Sequence, residues 1–197
     1  MAMKKLLGIV VIGLMFISSP SKADDIRDFQ IEGFSIGDSL LDYFSEDKIN
    51  MYKVVIGYKS DKYETIQISP TDYNIQDYDA MHISFLKNDK KIIIHGVAGM
   101  KDYDLNNIDK CYKKKNEISK KLDHLFKEIP KTKTNKKKHA QDPSGKSFTT
   151  GLWINFPSGD RILITCYDWS EELGWTDHLR LGMINKEFMD FINEDAY

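Results

Sequence analysis

Residues 80–98 read AMHISFLKNDKKIIIHGVA, and this stretch decides the fold. Met81, Ile83 and Phe85 alternate with His82 and Ser84, the two-residue period of a strand with one buried face. Lys87-Asn88-Asp89-Lys90 reads as a hairpin loop, and the apolar run from Lys91 to Ala98 returns as a second strand. A connection this short joins antiparallel neighbours, because parallel strands need a crossover of a dozen residues or more.

The same signals recur on either side. Tyr52 to Tyr58 and Tyr63 to Ile68 read as strands before this hairpin. Leu152 to Phe156 and Arg161 to Tyr167 form another hairpin across Pro157-Ser158-Gly159-Asp160, and His178 to Met183 adds a strand. Three segments carry helical spacing instead. Ser35 and Asp38 fit a capping box that opens a helix over about residues 36 to 46, with Ile36, Leu40, Leu41 and Phe44 on one face. A long helix starts at Asn106 or Asn107 and stops at Pro130, carrying Ile108, Cys111, Tyr112, Ile118, Leu122, Leu125, Phe126 and Ile129. A final helix is capped by Asn185 and carries Phe188, Phe191 and Ile192. The order predicts an α+β protein: a largely antiparallel sheet with helices packed on one face.

Lys4 and Lys5, the apolar run from Leu6 to Ile17 and the small-residue stretch ending at Ala23 predict a secretory signal peptide over residues 1–23. The run is shorter than the roughly 20 residues that a membrane span requires. Residues 24–197 are then expected to form one domain, periplasmic or secreted, with no transmembrane segment. Cys111 and Cys166 are the only cysteines, and in an oxidising compartment an even pair suggests a disulfide. Cys111 lies on the apolar face of the long helix and Cys166 shares a strand face with Ile162 and Ile164, so both point into one core.

Charge is distributed unevenly. Residues 110–146 carry a local charge of +9, against −14 for the rest of the mature chain. Residues 131–147 have the composition of an exposed loop, in which Lys131, Lys133, Lys136, Lys137 and Lys138 could bind an anionic envelope component, an acidic protein or nucleic acid. No aromatic residue interleaves these lysines, which weakens the case for single-stranded nucleic acid.

Gly37-Asp38-Ser39-Leu40 resembles the nucleophile block of the GDSL (SGNH) hydrolases, and its place near the mature N-terminus matches theirs. That resemblance implies a serine esterase using Ser39. The other blocks of the family depart from the pattern. Asn88-Asp89 lacks the glycine of the oxyanion block, with Leu86 in its place, and Trp175 stands three residues before His178 where an aspartate is needed. Asp177 and His178 are adjacent, so on a strand they point to opposite faces, and Asp79 and His82 keep the spacing only in mid-chain. Gly33-Phe34-Ser35-Ile36-Gly37 matches a nucleophile elbow but has no sheet before it. Ser35 as a cap and Ser39 as an ordinary helix residue is the preferred reading.

Gly145-Lys146-Ser147 ends like a phosphate loop without its first glycine, and residues 102–106 begin like a calcium loop without its turn glycine or terminal acid. The histidines at 82, 95, 124, 139 and 178 show no zinc spacing, so neither a metal nor a cofactor is expected. Asp25 to Gly33, Ile36 to Phe44 and Cys166-Tyr167-Asp168-Trp169-Ser170 together resemble a group of small secreted proteins of marine alphaproteobacteria. The resemblance implies secretion and a shared fold, and it carries no activity or site. The functional expectation is a secreted, non-catalytic binding or interaction protein. Its alternatives are a Ser39 esterase and an envelope-associated protein using the lysines.

Overall fold

The computed structural model describes residues 25–104 and 107–196. The expected signal peptide, together with Leu105 and Asn106, lies outside them. Eight antiparallel strands form one sheet in the order β1-β2-β3-β4-β8-β7-β6-β5. They are β1 (Lys53–Val54), β2 (Tyr63–Ile68), β3 (Ala80–Leu86), β4 (Ile94–Asp102), β5 (Lys131–Lys138), β6 (Phe148–Asn155), β7 (Arg161–Asp168) and β8 (His178–Ile184). The 80–98 stretch is the β3–β4 hairpin, and the β4–β8 pairing joins the first four strands to the last four.

The α+β expectation holds, but the helices divide between the two faces, where the sequence placed them all on one. The long helix α2 (Ile108–Leu125) buries Cys111, Ile118 and Leu122 against Ile162, Ile164 and Cys166 of β7 and Leu179, Leu181 and Met183 of β8. Cys111 and Cys166 form the expected disulfide, with both residues fully buried. The N-terminal segment fills the rest of this layer with Ile26, Ile31, Phe34, Leu40 and Phe44. The last helix, α3 (Lys186–Glu194), lies on the opposite face. Its Phe188, Met189 and Phe191 pack with Tyr63, Ile184 and Leu163, which alternate along their strands with the residues facing α2. Asn185 sets this position: its Oδ1 caps Phe188 N–H, its own N–H donates to His95 O, and its amide meets His95 Nδ1 at 2.9 Å.

Three local expectations are corrected. The helix over residues 36–46 is absent; a three-residue 3-10 turn at Leu40–Asp42 and a short helix α1 (Glu46–Met51) stand there. Gly37 takes a φ of +91°, outside the helical region. The segment instead binds the chain entering β4, with Gly37 N–H to Ile94 O and Leu40 N–H to Ile92 O. Ile36, Leu40 and Phe44 are still buried, so their spacing reported the core and not a helix. Half of the proposed capping box forms, since Asp38 Oδ2 accepts from Ser35 N–H. The strand expected over 52–58 shrinks to the two residues of β1.

The lysine-rich segment is not a loop over its first half: Lys131–Lys138 is the edge strand β5, paired with β6 around a bulge between Thr134 and Lys137. Lysines and a bulge protect a sheet edge from pairing with other chains, which explains why so polar a segment can be a strand.

Close approach decides one glycine in the sheet. A Cβ on Gly99 would sit 2.5 Å from the Tyr78 ring. Gly99→Val is expected to lower stability by about 1–3 kcal/mol through overpacking, measured as a lower urea midpoint.

Candidate functional site

The sheet face opposite α2 is only half covered, and the uncovered part is a groove. Gly96 makes it possible: a Cβ there would lie 2.7 Å from the Phe188 ring, so its absence lets α3 settle directly on β4. Beyond Gly96 the floor continues with Ala98 on β4 and Gly182 on β8. These are the smallest side chains available, and they leave a hollow of about 380 Å³ between sheet and helix. Phe188, Met189 and Ile192 of α3 form an apolar wall. Trp153 and Leu163 bound one side, and Thr65, His82 and Ser84 the other, with the Thr65 and Ser84 hydroxyls bonded to each other at 2.8 Å. The volume lies in the range of small-molecule sites.

Arg180 enters this groove from β8. Among the described residues its guanidinium has no hydrogen bond, ion pair or ring partner, and no aspartate or glutamate lines the groove. Arg161, on the same face of β7, lies over the Trp153 ring at 5.3 Å. Two of the chain's three arginines therefore serve this face. His82 bonds Gln67 Oε1 through Nε2 at 2.9 Å. Burial first, then the charges of Arg180 and His178, push its pKa down to about 4, so the ring is neutral at physiological pH.

An aromatic cluster continues from the open end. Tyr167 lines the groove and stacks on His178 at 4.6 Å, and Trp169 stacks on Tyr167 at 5.7 Å. Trp175 meets Trp169 edge-on at 4.6 Å, and the His139 ring packs on Trp169 at 4.5 Å. Trp169, Trp175, His178, Thr176 and Asp102 surround a second, shallow hollow of about 410 Å³. The cluster is held from beneath by buried Asp177, whose Oδ1 accepts from Trp169 N–H, and by Asp142, which accepts from Ser147 Oγ and Ser147 N–H.

The serine singled out by the sequence lies elsewhere. Ser39 Oγ donates to Lys91 O at 2.6 Å and accepts from Leu41 N–H at 3.3 Å, so the hydroxyl is engaged by backbone on both sides. His82 and His178 turn to Gln67 and to Thr176 O, and Asp79 binds Lys101 and Asp102 N–H. Ser35 Oγ donates to Phe29 O. The elbow, Asp79/His82 and Asp177/His178 are thus spent separately. Ser39→Ala is expected to cost about 1 kcal/mol by removing a cap and orphaning a carbonyl, seen as a lower urea midpoint. A fluorophosphonate probe is expected to leave folded wild-type protein unlabelled; labelling that disappears in Ser39→Ala would restore the esterase reading.

Of the five lysines proposed for anions, Lys131 donates to Phe126 O and Lys136 to Asp168 Oδ2 at 3.0 Å. Lys133, Lys137 and Lys138 are exposed on the edge strand. In the phosphate-loop-like segment, Lys146 pairs with Glu172 and Ser147 binds Asp142. Among the described residues no three His, Cys, Asp or Glu side chains gather as metal ligands.

Sequence reasoning reached this groove only through His82, weighed with Asp79 as a catalytic pair, and through Tyr58, weighed as one of four tyrosines of a binding face; it missed Arg180, although two signals were present. On β8, Leu179, Leu181 and Met183 are core, so His178, Arg180 and Gly182 share the outer face; and small residues crowd Gly96-Val97-Ala98-Gly99. Comparison with protein-family models, with curated proteins and with solved structures finds nothing that matches this chain.

Proposed function

We propose that the protein is an extracytoplasmic, non-catalytic binding module whose ligand occupies the groove beneath α3. The observation that carries this reading is Arg180: an arginine without a partner in a half-enclosed groove has been left free of the carboxylates that usually neutralise it. The compartment is supported by the sequence of residues 1–23 and by the buried Cys111–Cys166 disulfide, which persists in oxidising surroundings. Among the described residues no helix is long and apolar enough to cross a membrane.

Titration with the fluorescent anion anilinonaphthalene sulfonate, under conditions where near-UV circular dichroism shows native packing, tests the reading. Saturable emission that Ala98→Phe abolishes by filling the groove floor is expected. Emission unaffected by that substitution, or none at all, would overturn it.

A second reading uses the edge strand. The side chains of Lys133, Lys137 and Lys138 make no hydrogen bond or ion pair among the described residues, which leaves them able to face an anionic envelope surface. Replacing the three with serine is expected to reduce co-sedimentation with phosphatidylglycerol vesicles at low salt, and unchanged co-sedimentation would dispose of this reading.

A further inference from the structure

We infer that the ligand of this groove is a free, single-tailed anionic amphiphile, its oxyanion head on Arg180 and its apolar tail along α3. The inference rests on the groove being the binding site and adds the chemistry of what it takes. Three features point the same way. The head position is set by a guanidinium with unspent donors, and the planar fork of arginine suits a carboxylate, phosphate or sulfonate bound through two oxygens. No lining carboxylate competes for it. The tail position is set by Met189, Ile192 and Leu163, whose side chains line the groove although water can reach it. An apolar wall ending at an unpaired cation matches a ligand of opposite construction and rejects both a fully polar anion and a neutral hydrocarbon. His82 and His178 border Arg180 and are neutral at physiological pH, so they leave the head position without a second permanent charge.

The test compares decanoate, decanol and acetate on the mature, disulfide-bonded protein, followed by chemical-shift changes at the Ile192 methyl and the Trp153 indole. Decanoate is expected to bind at least tenfold more tightly than decanol, because a charged hydrogen-bonded head is added. Acetate is expected to bind too weakly to saturate, since each buried methylene is worth about fourfold in affinity. Arg180→Gln is expected to bring decanoate down to the affinity of decanol. Arg180→Lys, which keeps the charge and loses the fork, is expected to fall between, and it stands in if the glutamine variant does not fold.

Decanol binding as tightly as decanoate, or decanoate unaffected by either substitution, would overturn the amphiphile while leaving the groove as a site. Absence of any shift with all three probes would overturn it too; the dye titration then reports separately on the groove. An arm with phosphatidylglycerol vesicles distinguishes a free ligand from a lipid in a membrane. Co-sedimentation is expected not to depend on Arg180, and loss of it in Arg180→Gln would overturn the free ligand.

Discussion

Replacing both Cys111 and Cys166 with alanine is expected to lower the unfolding free energy by about 4 kcal/mol. The bridge closes a separation of 55 residues, and tying the ends of a loop that long removes much of the unfolded chain's freedom. It also joins the first turn of α2 to β7, so it pins the covering layer to the middle of the sheet. For a chain of this size the loss corresponds to roughly 8–16 °C in Tm. Urea denaturation of the oxidised protein and the double variant measures it. A difference below about 1 kcal/mol would mean that the unfolded chain is already restricted or that the layer holds without the bridge.

Stability is expected to fall between about pH 7 and pH 4.5, with His82 alone contributing about 2 kcal/mol. Burial holds the folded-state pKa of His82 at about 4, against its ordinary 6.5. Between these two values the unfolded chain binds the proton and the folded chain resists it. The unfolded state then holds more protons, and stability is lost as pH falls through 6.5 and continues to fall until about 4. His95, His139 and His178 are shifted in the same direction, each chiefly by burial. Asp177 opposes them, because burial raises its carboxyl pKa and protonation of that group favours the folded chain. Urea midpoints at the two pH values test this, and His82→Gln is expected to flatten the dependence. A flat wild-type profile would mean that water or a local opening solvates His82.

The antiparallel sheet was legible because the apolar alternation in β3, β7 and β8 is the physical requirement for burying one face of a strand. The disulfide was legible for the same reason, since Cys111 and Cys166 continue apolar patterns that converge on one core. The first helix was misread because Ile36, Leu40 and Phe44 obey helical spacing while Gly37 and the hydrogen bonds to Ile92 and Ile94 dictate another path. Burial periodicity specifies which residues point inward, and only long-range pairing specifies by what backbone route. β5 was missed because an edge strand buries so little that its sequence carries lysine and threonine in place of an apolar stripe.

The groove was hidden for a different reason. It is made of what is missing at Gly96, Ala98 and Gly182, and of the crossing of α3 to the second face. Neither is visible in local spacing, because α3 is as amphipathic on one face of the sheet as it would be on the other. Ser39 shows the converse: a motif that draws attention in the sequence is engaged by Lys91 and Leu41 in the fold.

Intermolecular nuclear Overhauser effects between bound decanoate and the protein test the central claim most directly. Contacts from the chain methylenes to Met189 and Ile192, with a shift of the Arg180 Nε resonance, are the predicted result. Contacts to Ile118 or Leu122 on the α2 face, or none to α3 at saturating decanoate, would contradict a binding site on the open face of the sheet.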